Sequence, residues 1–176
     1  EIILKPKYKD ISLFNSPPWE ARFAVVTDEE GLKGALTPKG KLAAKIKYQF
    51  VDVQSKGKYL IVRSPEGAYG LVKTKNKKEV LKTEYKSISR FRGGKMGLSI
   101  VHKNDKYGCI NGDGKMIAEP IYAAAEIRGG YLDYPDIKLT KEDGTPVILD
   151  CWGEPLKKKK ALGAAAYDDE EEIFFE

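Results

Sequence analysis

A single spacing limits what this chain can fold into more than any other feature. Tyr48, Tyr85 and Tyr122 stand 37 and 37 residues apart, and Tyr8 lies 40 before the first of them. Each closes a similar short segment: Lys5-Pro6-Lys7-Tyr8, Lys45-Ile46-Lys47-Tyr48, Lys82-Thr83-Glu84-Tyr85 and Glu119-Pro120-Ile121-Tyr122. Three of the tyrosines follow a glycine that opens a short apolar stretch, Gly34, Gly70 and Gly108, at distances of 14, 15 and 14 residues. Six residues past each glycine comes a turn position, Gly40, Asn76 or Gly114, and a lysine follows it every time. Agreement at three levels marks tandem repeats, whose units cannot stand alone and must stack on one another.

Within a unit the chemistry is that of strands. Tyr69 to Lys73, Val80 to Thr83, Ser87 to Phe91 and Leu98 to His102 are short β-rich runs, separated by Thr74-Lys-Asn-Lys77 and Gly93-Gly94. Runs of this length between Gly, Asn, Asp and Pro clusters predict antiparallel hairpins. Asn111-Gly112-Asp113-Gly114 supplies residues that tolerate the positive φ of tight turns. The helical candidates, Ala123 to Ile127 and Lys160 to Ala166, are limited to a turn or two by their length. The expected fold is all-β, a tandem array of antiparallel β-hairpin or meander repeats of about 37 residues, open or propeller- or solenoid-like. Residues 1–156 form one repeat domain: a partial repeat 1–30, repeats at 31–66, 67–104 and 105–141, and a decayed copy at 142–156, with a tail at 157–176. A unit this small buries too little apolar surface alone, so the units should pack edge to edge. Ile61, Leu71, Val72, Ile100, Ile110 and the repeated tyrosines would fill the shared core.

Lys106-Tyr107-Gly108-Cys109-Ile110-Asn111-Gly112-Asp113-Gly114-Lys115, running on to Glu119-Pro120-Ile121-Tyr122, resembles the WG-repeat (KWG-repeat) family, with Tyr107 where tryptophan is usual. Tyr69-Gly70-Leu71-Val72 with Tyr85 is similar to a looser copy carrying one inserted residue. Gly34-Ala35-Leu36 with Gly40 and Tyr48 resembles a copy without the aromatic, and Lys5 to Tyr8 the tail of a repeat. Val147 to Asp150 with Gly153-Glu154-Pro155-Leu156 resembles a decayed copy. The resemblance implies a bacterial β-repeat protein without enzymatic activity, of a kind often exported, which favours the periplasm or cell surface over the cytoplasm. The repeat-signature residues, Gly34, Gly40, Tyr48, Tyr69, Gly70, Tyr85, Tyr107, Gly108, Gly114 and Tyr122, are expected to be structural, since equivalent positions in every copy belong to architecture.

Catalytic chemistry finds little support. The single histidine, His102, shares a predicted strand face with Leu98 and Ile100 and has no spaced Ser or Cys partner. Asn111 to Gly114 faintly resembles a calcium loop, yet Cys109 and Pro120 stand where oxygen ligands belong, so a hairpin turn is expected. Glu29-Glu30 and Glu142-Asp143 fall in predicted turns as solvated charge. Cys109 and Cys151 form no close pair, which argues against a disulfide framework or a zinc site. Neither a catalytic residue nor a cofactor nor a metal is assigned.

Charge bears on partners. Six of the 26 acidic residues, Asp168 to Glu172 and Glu176, lie in the last nine positions, so the 31 Lys and Arg face 20 carboxylates in the body. All but five of those cations are lysine, which attracts anions at long range but lacks the planar fork of nucleic-acid readers. Nucleic acid is therefore disfavoured as a partner. No apolar run is long enough to span a membrane. The function expected is a binding or scaffold module for a protein partner, in a larger bacterial envelope assembly. The alternative is an anionic polymer, a surface glycan or nucleic acid, held by the lysine-rich body. Trp19, stiffened by Pro17 and Pro18, and Phe174 and Phe175 in the acidic tail are the candidate partner contacts.

Overall fold

The structure, a computed structural model, describes residues 8–13, 23–54, 57–93, 96–129 and 134–156. They form consecutive antiparallel sheets in which each strand pairs with its neighbour in sequence. The first sheet is β1 (Asp10–Leu13), β2 (Ala24–Thr27), β3 (Lys33–Leu36) and β4 (Leu42–Tyr48). The second is β5 (Phe50–Gln54), β6 (Tyr59–Arg63), β7 (Tyr69–Lys73) and β8 (Lys78–Tyr85). The third is β9 (Ser87–Ile88), β10 (Leu98–Lys103), β11 (Lys106–Asn111) and β12 (Met116–Tyr122). The fourth holds β13 (Ala124–Arg128), β14 (Asp136–Thr140) and β15 (Pro146–Leu149), with a bridge from Leu149 to Pro155 where a fourth strand would begin. Ala124–Arg128 is thus a strand and not the helical turn expected from its sequence. Pairing with β14 outweighs the helix-favouring Ala-Ala-Glu stretch, because propensity is a weak prior against tertiary contacts.

One four-residue turn recurs. Gly40 N donates to Thr37 O, Gly114 N to Asn111 O and Gly153 N to Asp150 O, with the residue before the turn paired to the one after it. The glycine has positive φ in each, 71°, 76° and 94°. The second sheet departs from this. Asn76 stands in the turn as expected, but with the inserted residue the left-handed position falls on Lys77, at φ 59°.

The signature glycines and tyrosines occupy one register. The residue ahead of each glycine pairs with the tyrosine that ends the next strand: Lys33 with Tyr48, Tyr69 with Tyr85, and Tyr107 with Tyr122. Two residues on, Ala35 meets Ala44, Leu71 meets Leu81 and Cys109 meets Ala118, so four residues of the last strand oppose two of the third. This bulge folds the last strand over the glycine. A Cβ on Gly34, Gly70 or Gly108 would stand 2.9, 2.9 or 2.5 Å from the carbonyl oxygen of Ala44, Leu81 or Ala118. The glycine is therefore fixed by backbone proximity and not by conformational freedom.

Each tyrosine lies two residues before the first strand of the next sheet, as Tyr8 lies two before β1. A sequence repeat read from glycine to glycine therefore contributes the last two strands of one sheet and the first two of the next. The sheets pack face to face and not edge to edge as expected, because alternation in β6 sends Leu60 and Val62 to one side and Tyr59 and Ile61 to the other. We call the side toward the preceding sheet the front and the other the back. Val25, Ala35, Ala44 and Tyr48 on the back of the first sheet pack on Val51, Val62 and Val72 on the front of the second. Ile61, Leu71, Leu81 and Tyr85 pack on Ile88, Val101 and Ile110, and Cys109 and Ala118 pack on Leu139 and Leu149.

Candidate functional site

Equivalent joints between sheets should be lined alike wherever packing alone sets the residue. At the second joint Met116 packs against the cluster that contains Tyr85. At the first joint the residue in the register of Met116 is Glu79, and it meets Tyr48 with a carboxylate. The Tyr48 hydroxyl donates to Glu79 Oε1 at 3.2 Å, and Lys47 Nζ donates to the same oxygen at 2.8 Å. Burial pushes the Tyr48 phenol above its ordinary range. The Lys47 hydrogen bond holds the Glu79 carboxyl below its own, against a desolvation that raises it, and the Lys47 ammonium is raised in turn by that bond.

Around this pair opens a cleft of about 300 Å³, lined by Ala44, Lys45, Lys47, Tyr48, Val72, Lys77 and Glu79. Val72, Ala44 and the Tyr48 ring form an apolar floor, and three ammonium groups against one carboxylate make the rim cationic. Lys77 reaches it from the left-handed position that glycine holds in the sister turns. With Lys47 engaged by Glu79, the ammonium groups of Lys45 and Lys77 have no ion-pair partner among the described residues. Chemically the cleft can take an anionic group at its rim and an apolar one on its floor.

The other residues singled out in the sequence are placed as follows. Tyr48 and Tyr85 are buried, and Tyr122 and Tyr69 are half-buried against the cores. Tyr107 stacks on His102 with ring centroids 4.4 Å apart and planes 7° apart. Asn111 spends its side-chain oxygen on the N–H groups of Asp113 and Lys115, while Nδ2 donates to Cys151 O across the joint, so the turn is structural. Among the described residues no group of three or more His, Cys, Asp or Glu is placed to hold a metal. Cys109 and Cys151 are free, buried thiols of one core cluster, and burial pushes Cys109 up to about 12. Trp19, Phe174 and Phe175 lie outside the described residues. Trp152 is half-exposed in the last turn, stacked on Tyr134 at 5.2 Å. Sequence reading missed Lys77 and Glu79. The available signal was contrast between copies: a lysine in a glycine's place and a carboxylate in an apolar one.

The family model described as WG containing repeat matches residues 69–107 and 107–132. Both matches begin at the aromatic residue ahead of a bulge-covered glycine. No curated protein matches in sequence. Among solved structures, the complex of the fission yeast SREBP-SCAP binding domains is similar at a TM-score of 0.38 and 8% identity, over 92% of this chain. The chain spans about half of that one, 53%. Residues 69–132 accordingly match the WG containing repeat as two adjacent copies, set in an array of antiparallel sheets.

Proposed function

We propose that this chain is a non-catalytic scaffold module of a bacterial envelope assembly, acting outside the cytoplasm, and that it binds a protein partner whose acidic, partly apolar segment enters the cleft between the first and second sheets. The supporting observation is that two departures from the repeat, one basic and one acidic, line the same cleft. Lys77 replaces a turn glycine, Glu79 replaces an apolar residue, and Lys45 and Lys47 flank them. A non-glycine residue in the left-handed region costs about 1 to 2 kcal/mol. The buried Cys109 thiol, raised to about 12, is unsuited to nucleophilic chemistry.

Affinity purification from native cells tests this, using the natural chain beside a Lys45→Glu, Lys77→Glu chain, with mass spectrometry of what each retains. The expected result is a protein held by the natural chain at high ionic strength and lost with the charge-reversed one. The lysine excess supports a second reading, binding of a surface glycan or nucleic acid. That reading requires retention to fall steeply with salt, as counterion release dictates. Identical retention by both chains would remove the cleft from the account.

A further inference from the structure

We propose that Asn111 is a site of spontaneous deamidation, gated by the joint between the third and fourth sheets. While the joint is closed the amide is protected; once it opens, Gly112 attacks the side chain, and the acid so formed keeps the joint from closing as before. Asn111-Gly112 is the one Asn-Gly pair in the chain. A glycine after asparagine brings no Cβ to hinder the approach of its main-chain nitrogen to the amide carbon. The turn itself calls for neither residue. Sister turns put Pro38, Lys75 and Cys151 where Gly112 stands, and Gly112 is not among the glycines of positive φ. Asp150 opens the last turn as Asn111 opens its own. Asp150 Oδ1 accepts from Trp152 N and Glu154 N at 2.9 Å each, and Asn111 Oδ1 accepts from Asp113 N and Lys115 N at 3.1 Å each. A carboxylate therefore serves such a turn as well as an amide does.

The residue that needs an amide is the one that crosses the joint. Asn111 is 4% exposed, and its Nδ2 donates to Cys151 O at 3.2 Å, from the third sheet to the last turn of the fourth. Cys151 belongs to the same joint core as Cys109. With these three hydrogen bonds made, the side chain is fixed and shielded from water. Opening the joint frees Nδ2 and admits solvent. Gly112 N then bonds to Asn111 Cγ and gives its proton to solvent, while Nδ2 takes a proton and leaves as ammonia. Water adds to either carbonyl carbon of the resulting succinimide and breaks that carbon's bond to nitrogen, so one water is consumed for each ammonia released. The products are aspartate and isoaspartate. Aspartate turns an acceptor toward the Cys151 carbonyl where a donor stood, in a buried site. Isoaspartate adds a main-chain carbon at a residue whose place in the sheet is fixed by pairing with Leu98. Neither restores the original contact, so the site records how long the joint has stood open.

The full chain, incubated at neutral pH in heavy-oxygen water over a series of urea concentrations, tests this by site-resolved mass spectrometry, since only the deamidated residue takes up the label. Deamidation at Asn111 should be at least about tenfold faster in unfolding urea than in buffer, and should rise in step with labelling of Cys109. Gly112→Ala should slow it at every urea concentration. Asn111→Asp should melt at least about 3 °C below the natural chain and show faster Cys109 labelling when folded. Should that variant fail to fold, aged natural chain, separated from unaged by its added charge, gives the same comparison. Equal deamidation rates in buffer and in urea would overturn the gating. An acid form with the Tm and the Cys109 labelling rate of the natural chain would overturn the effect on the joint.

Discussion

Gly108 lies directly beneath the Ala118 carbonyl, so close that a Cβ on it would stand 2.5 Å from that oxygen and 2.7 Å from Pro120 N. Both obstacles are backbone. At Gly70 one of the two nearest atoms is Thr83 Cγ2, the end of a side chain that can turn away. Gly108→Ala should therefore cost more than Gly70→Ala, about 3 kcal/mol against 1 to 2 kcal/mol, as overpacking does. Gly31→Ala meets nothing within 4 Å and bears only the strain of its φ of 82°, about 1 kcal/mol. Urea denaturation of the three variants checks the order. Equal losses at all three would mean that conformation and not crowding selects these glycines.

Tyr85→Ala should destabilise the array by about 3 to 5 kcal/mol, the cost of removing a buried aromatic ring. Tyr85 is buried between the second and third sheets, whereas Tyr122 is half-buried, so Tyr122→Ala should cost less. Calorimetry of both variants distinguishes graded burial from a uniform role for the repeated ring.

Lys77→Gly relieves a left-handed lysine at φ 59° but loosens the unfolded chain, so it should leave stability unchanged or raise it by up to about 1 kcal/mol. The same change removes an ammonium from the cleft rim. Thermal melting alongside partner capture should show stability held or gained and binding reduced. Loss of both would make Lys77 an ordinary structural residue.

The Glu79 carboxyl has a folded pKa below its ordinary one, chiefly through the Lys47 hydrogen bond. Its contribution is therefore present above the ordinary carboxylate range and lost as pH falls through the lowered value. Half of the Lys47 side chain is in water, so screening holds this contribution below about 1 kcal/mol. Denaturation of the natural chain and Glu79→Gln should differ slightly at neutral pH and converge in acid. A gap that widens on acidification would reverse the assigned sign.

Cys109 is fully buried, with a thiol raised to about 12, and should resist Ellman's reagent at neutral pH until denaturant opens the joint between the third and fourth sheets. Prompt reaction of the folded protein would show that this joint opens readily.

The register was legible in the sequence because backbone contacts impose it afresh in every copy. No residue but glycine fits under the bulge, and one tyrosine sits at each passage between sheets. The boundaries of the sheets were less so. Their grouping follows which strand faces pack, as Leu60 and Ile61 part to opposite cores, and glycine spacing says nothing of that choice. Asn76 lies in the turn as expected, one residue ahead of the left-handed Lys77, and the Ala124–Arg128 strand was hidden by residues that favour helices until β14 pairs with them. The cleft escaped notice for another reason. Tyr48 and Glu79 are 31 residues apart, and nothing local to either announces the other.

The offset between sequence repeat and sheet bears on how such genes change length. Unequal crossing-over between two copies at matching codons adds or removes one period. Because each period closes one sheet and opens the next, the product keeps every internal sheet whole and changes only how many there are. A repeat bounded at sheet edges would instead place each breakpoint in a linker, free to drift in length. Here the breakpoint falls within a sheet, where strand register requires a recombinant to be in phase before it can fold.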